Sequence, residues 1–133
     1  MNLIYNYAIK IFLGFQIAII LFHLCIITKI IPYDITWGGR LQNDNEMYVF
    51  ETISILINLF LCWILLMKVN LVKYRFPNKV VNVILWIFFV IFVLNTIGNI
   101  FAKTFFEKQF AFLTGAFSIL LLIILKKKKP LNQ

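Results

Sequence analysis

The sequence predicts an all-α membrane protein, folded as a single antiparallel bundle of four transmembrane helices. Hydrophobic residues make up 62% of the 133 positions, whereas soluble domains use roughly 45 to 50%. Four apolar stretches follow one another along the chain, and each approaches the roughly 20 residues that a helix needs to cross the hydrocarbon core. Together they use most of the chain, so we expect residues 1–133 to form one membrane domain.

The first two helices are predicted at about residues 5–30 and 47–68. The first contains the apolar run Ile11–Thr28, which follows a single Lys10 and lacks a small-residue cleavage site. This run is also longer than the apolar core of a signal peptide, so we expect a retained helix. The second contains the apolar run Thr52–Met67 and returns the chain across the membrane.

The third and fourth helices are predicted at about residues 79–103 and 107–126. The third contains the apolar run Val80–Ala102 and follows a Phe-Pro-Asn sequence, in which Asn78 is expected to cap the helix N-terminus. The fourth contains Gln109–Leu125 and ends in four consecutive lysines, which we interpret as an anchor on anionic lipid headgroups.

The distribution of charge predicts the orientation of the bundle. Nine of the thirteen Lys and Arg residues lie on the side of both termini and the second connection, and four lie on the side of the first and third connections. The positive-inside rule then places both termini in the cytoplasm. The net charge of +8 arises at these helix ends. Because no basic face is interleaved with exposed aromatic residues, we expect no nucleic-acid partner.

Polar residues interrupt the apolar helices near one side of the membrane. His23 lies about five residues past the middle of the first helix, Glu51 about six before the middle of the second, and Asn95 about five past the middle of the third. At 1.5 Å per residue, each is roughly 8 to 10 Å from the midplane, in the same, non-cytoplasmic leaflet. Asn99 and Lys103 continue the face of Asn95 at a spacing of four residues. Polar groups are costly in hydrocarbon, so these residues predict a polar site inside the bundle.

Each of these residues also has a structural interpretation. A membrane histidine such as His23 commonly bonds a neighbouring helix, and Glu51 is suited to a first helical turn, where the macrodipole favours a carboxylate. The two asparagines are suited to hydrogen bonds between helices. Lys103 and Glu107 are four residues apart and are suited to an ion pair at the surface. The sequence leaves these alternatives open.

The long connection, from about residue 30 to 47, contains the sequence Trp37-Gly38-Gly39-Arg40. Paired glycines permit tight backbone turns. Trp37 is typical of the membrane–water interface, so one interpretation is an interfacial loop with an aromatic anchor. The other interpretation is a lid that presents Trp37 and Arg40 over the mouth of the bundle.

Several kinds of chemistry lack support in the sequence. The single histidine has no ligand partner three or four residues away, so no metal site is predicted. Cys25 and Cys62 are expected in opposite leaflets, too far apart for a disulfide, and no Cys-x-x-Cys motif occurs. No serine lies in the strand–turn–helix elbow of a nucleophile. We therefore expect no metal and no cofactor, and we assign no catalytic residue.

Three features together resemble one protein family. They are His23, the Trp37–Arg40 sequence, and the stretch Asn95–Thr104 followed by Glu107, which contains a Gly-Asn-x-x-Ala-Lys pattern. Over nearly its whole length the chain is similar to a family of small four-helix bacterial integral membrane proteins of unknown function, and most similar to members from the Bacteroidetes. The resemblance implies a multi-pass protein of the bacterial cytoplasmic (inner) membrane. It implies no activity.

The leading functional hypothesis is a polar pocket in the outer leaflet that binds or transports a small polar or lipid-headgroup ligand. Its candidate residues are His23, Glu51, Asn95, Asn99, Lys103, Trp37 and Arg40. One alternative is a membrane-embedded enzyme that acts on a lipid, with His23 and Glu51 as acid and base. Another is a non-catalytic accessory subunit whose polar stripe binds a partner helix. The expected partners are the bilayer, such a ligand, and a second copy of the chain or another membrane protein.

Overall fold

Residues 2–126 are described in a computed structural model, and this range contains four long helices and no strand. They are α1 (Asn2–Ile27), α2 (Asp44–Lys68), α3 (Asn78–Ile100) and α4 (Phe105–Lys126). Each is long and apolar enough to cross a membrane. The predicted fold class, a four-helix membrane bundle, is therefore confirmed. The lysines at 127–129, which contribute to the predicted topology, lie outside the described residues.

The first two helix boundaries differ from the predicted ones because local backbone geometry and hydrogen bonds decide where a helix starts and stops. α1 ends at Ile27 rather than near residue 30, since Lys29 adopts a left-handed backbone conformation (φ 63°) that turns the chain out of the helix. α2 begins at Asp44 rather than at 47, since the Asn43 side chain accepts a hydrogen bond from the Glu46 N–H at 2.9 Å.

A threonine side-chain cap also sets the start of α4. Thr104 Oγ1 accepts a hydrogen bond from the Glu107 N–H at 3.2 Å and donates one to Glu107 Oε2 at 2.9 Å. α4 therefore begins at Phe105, earlier than predicted. The expectation that Asn78 caps α3 is wrong. Asn78 is the first helical residue, and Pro77 occupies the capping position with no side-chain hydrogen bond.

The four helices enclose a central space, because α1 packs on α2, α2 on α3, α3 on α4 and α4 on α1. A hydrophobic core fills the end of this space nearest the α2–α3 connection. Its fully buried members include Phe12, Leu65, Leu85 and Leu121. The Phe12 ring packs on Phe117 with centroids 4.9 Å apart. This half of the bundle is closed.

The opposite end, called the loop end, carries the 28–43 connection and the turn between α3 and α4. Three buried apolar side chains hold the connection on the bundle: Ile26, Leu41 and Met47. Lys29 forms an ion pair with Asp44, and Tyr33 Oη donates to Asp44 Oδ1 at 3.1 Å. The hydrogen bond to Asp44 raises the pKa of the Lys29 ammonium, and desolvation raises the pKa of the Tyr33 phenol. As long as Asp44 is ionised, the ion pair is thus complete below the ordinary lysine pKa, and it is lost as the pH rises through the raised pKa of Lys29.

Candidate functional site

A histidine–glutamate pair lies inside the bundle at the loop end. α1 presents His23 and α2 presents Glu51, and His23 Nδ1 is 2.5 Å from Glu51 Oε2. The Glu51 side chain is fully buried, and that of His23 is 16% exposed. With Glu51 ionised, the imidazole N–H donates to the carboxylate; with Glu51 protonated, its O–H donates to Nδ1. These two residues, predicted to share one level of the bundle, are therefore in direct contact and hold a proton between them.

Trp37 covers this pair from the loop side. Its indole Nε1–H donates to Glu51 Oε1 at 2.7 Å, so each carboxylate oxygen has a partner. The indole also packs against Phe50, with ring centroids 5.2 Å apart. Trp37 has a positive φ of 54°, a conformation that is rare for a bulky residue and costs on the order of 1–3 kcal/mol. The contact with Glu51 favours the lid interpretation of the connection over the interfacial anchor.

A second polar layer lies below the pair, about 10 Å further along α2. Gln16 Nε2 donates to Asn58 Oδ1 at 2.8 Å, and Asn58 Nδ2 donates to the Ser54 carbonyl at 2.7 Å. Gln16 is fully buried, and its Oε1 has no hydrogen-bond partner among the described residues. Neither Gln16 nor Asn58 is among the predicted site residues. Glu51, Ser54 and Asn58 are spaced by three and four residues, which places them on one face of α2. This spacing is the sequence signal from which Asn58 could have been predicted as part of the site.

One cavity of about 1110 Å³ connects these groups. Its wall contains every predicted site residue: His23, Trp37, Arg40, Glu51, Asn95, Asn99 and Lys103. The cavity extends from the loop end down to Asn58 and Leu61, where it meets the hydrophobic core. Its volume is slightly above the range of about 300–1,000 Å³ that is typical of sites for small molecules.

The three carboxylates of the cavity wall all accept hydrogen bonds from the protein. Glu51 accepts from two side chains, as described above. Glu46 Oε2 accepts from the Gln42 N–H at 2.9 Å, and Glu107 Oε2 accepts from the Thr104 hydroxyl at 2.9 Å. Glu107 is buried. Its burial differs from the exposed position that the surface ion-pair interpretation assumes.

The other polar residues of the predicted site lack the side-chain partners that the carboxylates have. Four of them form no ion pair and no side-chain hydrogen bond with another residue of the range 2–126: Arg40, Asn95, Asn99 and Lys103. The hydrogen bond that joins α3 to α4 is made instead by Thr96, whose Oγ1 donates to Thr114 Oγ1 at 2.9 Å. Asn95, which is exposed, and Asn99, which is partly buried, thus line the cavity without joining helices.

The described part of the chain contains no group of three or more His, Cys, Asp or Glu side chains that could hold a metal ion. Cys25 and Cys62 are free thiols. Comparison of the chain with family models, with curated proteins and with solved structures finds no match. The side chains of the site offer an imidazole and a carboxylate at His23 and Glu51, amides at Asn95 and Asn99, and cations at Arg40 and Lys103.

Proposed function

We propose that this protein binds a small polar or lipid-headgroup ligand in the cavity at the loop end. One observation carries the proposal: a large cavity among membrane-spanning helices holds the fully buried Glu51, whose partners are His23 and Trp37. An ionisable group in a membrane helix is costly, and such groups typically mark functional sites. The cavity offers space for a ligand beside this group.

The proposal includes a location and an orientation. The protein lies in a bacterial cytoplasmic membrane with both termini in the cytoplasm and the loop end in the outer leaflet. The nine-to-four distribution of Lys and Arg supports this orientation. The Trp37–Arg40 sequence supports membership of the family of small four-helix bacterial membrane proteins that the chain resembles.

The arrangement favours binding over passage through the membrane. The polar groups of the α2 wall end at Asn58, and the apolar core around Phe12 and Leu65 fills the other half of the bundle. A polar solute would lose its hydration without replacement in that core. Transport would require the core helices to separate, whereas binding requires no such rearrangement.

A second candidate function is acid–base catalysis on a lipid, and one contact favours it. Glu51 bonds His23 at Nδ1, and no described residue forms a hydrogen bond with Nε2. A carboxylate that fixes a histidine in this way is a common device of general bases. Incubation of the protein with phospholipid, followed by mass spectrometry, tests this function. Turnover that His23→Gln abolishes would support catalysis, and unchanged lipid would contradict it.

A thiol-labelling experiment tests the proposed binding site. The protein first has Cys25 and Cys62 replaced by Ala. Ser54→Cys then places a thiol in the cavity wall, and Ser118→Cys places one at a similarly buried position outside that wall (9% and 7% exposed). We expect a small water-soluble methanethiosulfonate to modify position 54 much faster than position 118. We also expect glycerol phosphate, or a phospholipid, to slow the reaction at 54.

Two results would contradict this function. Equal labelling rates at positions 54 and 118 would show that water does not reach the cavity. Fast labelling at 54 that neither glycerol phosphate nor phospholipid slows would show that the cavity does not bind a ligand of the proposed class.

A further inference from the structure

The cavity opens on one side of the bundle, between α2 and α3. The wall residues that come from α1 and α4 are all buried or partly buried. In contrast, α2 and α3 contribute apolar wall residues that are also exposed on the outer surface: Phe50, Ile57 and Ile91. A residue that lines a cavity and is exposed at the same time marks an opening. The cavity therefore reaches the lipid-facing surface between these two helices.

This opening is long and changes character along its length. The α2 part of the wall runs from Glu46 to Leu61, about 22 Å at 1.5 Å per residue. This part of the wall is therefore longer than the hydrocarbon of one leaflet, which is about 15 Å thick. The loop end of the opening is polar. Its deeper end has an exposed apolar rim, formed by Ile57 and Ile91, outside the polar side chains of Ser54 and Asn58. An amphipathic ligand has a polar head that matches the polar loop end and an apolar chain that matches Ile57 and Ile91.

The polar end of the opening carries charges of both signs, and its two cations are the charged groups that have no partner among the described residues. Arg40 and Lys103 have no acidic partner in the described part of the chain, whereas the three carboxylates of the wall already accept hydrogen bonds. Asn95 and Asn99 add two amides without partners in the same range. Two cations and amide N–H donors are the groups that phosphate oxygens require.

We propose that the ligand is an anionic phospholipid, which reaches the cavity sideways from the bilayer. Its phosphate lies between Arg40 and Lys103, and one acyl chain lies in the cleft between α2 and α3, against Ile57 and Ile91. This inference rests on the proposed function and names the class of its ligand. A soluble anion would pair with the two cations, but it would leave the exposed side chains of Ile57 and Ile91 without an apolar partner.

Native mass spectrometry of the full chain in detergent tests the headgroup preference. The protein is mixed with equal amounts of phosphatidylglycerol and phosphatidylcholine that carry the same acyl chains, and the bound lipids are counted. We expect phosphatidylglycerol to be retained in excess. This excess should fall about fivefold in each of Arg40→Gln and Lys103→Gln, the usual contribution of one basic residue near anionic lipid. Equal retention of both lipids by the unmodified protein would indicate annular lipid only and would overturn the proposal.

A matched pair of substitutions tests the position of the acyl chain. Ile53 and Ile57 lie about one turn apart on α2 and are both 49% exposed, but of the two only Ile57 lines the cavity. We expect Ile57→Trp to reduce the retention of phosphatidylglycerol and Ile53→Trp to leave it unchanged. Equal retention by the two folded variants would overturn the proposal. If Ile57→Trp does not fold, the headgroup preference of the unmodified protein is the test of the lipid proposal.

The lipid proposal and the proposed function fail in different ways. If glycerol phosphate protects Ser54→Cys from labelling but phosphatidylglycerol is not preferred, the polar binding site stands and the lipid proposal is wrong. If neither probe protects position 54, the proposed function is wrong as well. A dimer that retains no lipid would identify a second copy of the chain as the group that covers the cleft, and would overturn the lipid proposal.

Discussion

Replacing Trp37 with Phe should release the connection from the cavity without disturbing the helices. The substitution keeps an aromatic ring next to Phe50 and removes the indole N–H that donates to Glu51. The left-handed backbone conformation at position 37 has the same free-energy cost in both proteins, because Phe, like Trp, has a Cβ atom. The difference between the two proteins therefore measures one hydrogen bond.

The expected size of this effect follows from the geometry of the bond. A hydrogen bond to a charged group contributes about 1.5–3 kcal/mol. This one is 2.7 Å long, and its acceptor is fully buried. Trp37 is itself 39% exposed, so water replaces part of the lost bond when the connection opens, and we expect about 1–2 kcal/mol. That difference makes the open state roughly 5–30 times more populated.

Hydrogen–deuterium exchange in detergent measures this opening. The Gly39 N–H donates to the Thr36 carbonyl at 3.0 Å, and the Arg40 N–H donates to the Trp37 carbonyl at 3.2 Å. Both amides should exchange roughly 5–30 times faster in Trp37→Phe. Trp86→Phe, on the outer surface of α3, is the control and should exchange like the unmodified protein. Unchanged exchange at 39 and 40 in Trp37→Phe would refute the idea that the indole–carboxylate bond holds the connection closed.

Three further pairs of substitutions, compared by thermal unfolding in detergent, test the other contacts. Glu51→Gln should lose little stability, because its amide both accepts and donates, whereas Glu51→Ala should lose about 3 kcal/mol, the lower value for two hydrogen bonds to a charged group. Gln16→Leu should change stability by less than about 1 kcal/mol, because it removes a carbonyl without a partner and leaves Asn58 Oδ1 in the cavity wall, where water replaces the lost donor. Asn58→Leu leaves the fully buried Gln16 amide unpaired and should cost about 1–3 kcal/mol. Asn99→Ala should not change the melting temperature, whereas Thr114→Val should lose about 0.6 kcal/mol. The reverse order within any pair would contradict the partners assigned to that residue.

The helices and the level of the polar pair could be predicted because both depend on regular geometry. A long uninterrupted helix rises by a fixed amount per residue, so the depths of His23 and Glu51 follow from counting. The helix ends depend on single residues instead. α1 ends at the left-handed conformation of Lys29, and α4 begins at the side-chain cap of Thr104. Both depend on local hydrogen bonds and packing, which the spacing of apolar residues does not predict.

The partners within the site could not be predicted for two physical reasons. The contact between Trp37 and Glu51 depends on the path of a long connection, and many paths are compatible with its sequence. The role of the asparagines depends on how α3 is rotated against α4. Neighbouring residues on a helix point about 100° apart, so Thr96 faces α4 while Asn95, one position earlier, faces the cavity.

The closed half of the bundle has an electrical consequence. The cavity occupies the half of the bundle next to the loop end, and the core around Phe12, Leu65 and Leu121 fills the rest of the membrane span. Most of the transmembrane potential therefore falls across this core. A unit charge that crosses the whole potential changes in energy by about 2.3 kcal/mol per 100 mV. A charged solute that reaches the level of Glu51 from the loop end therefore crosses little of that potential.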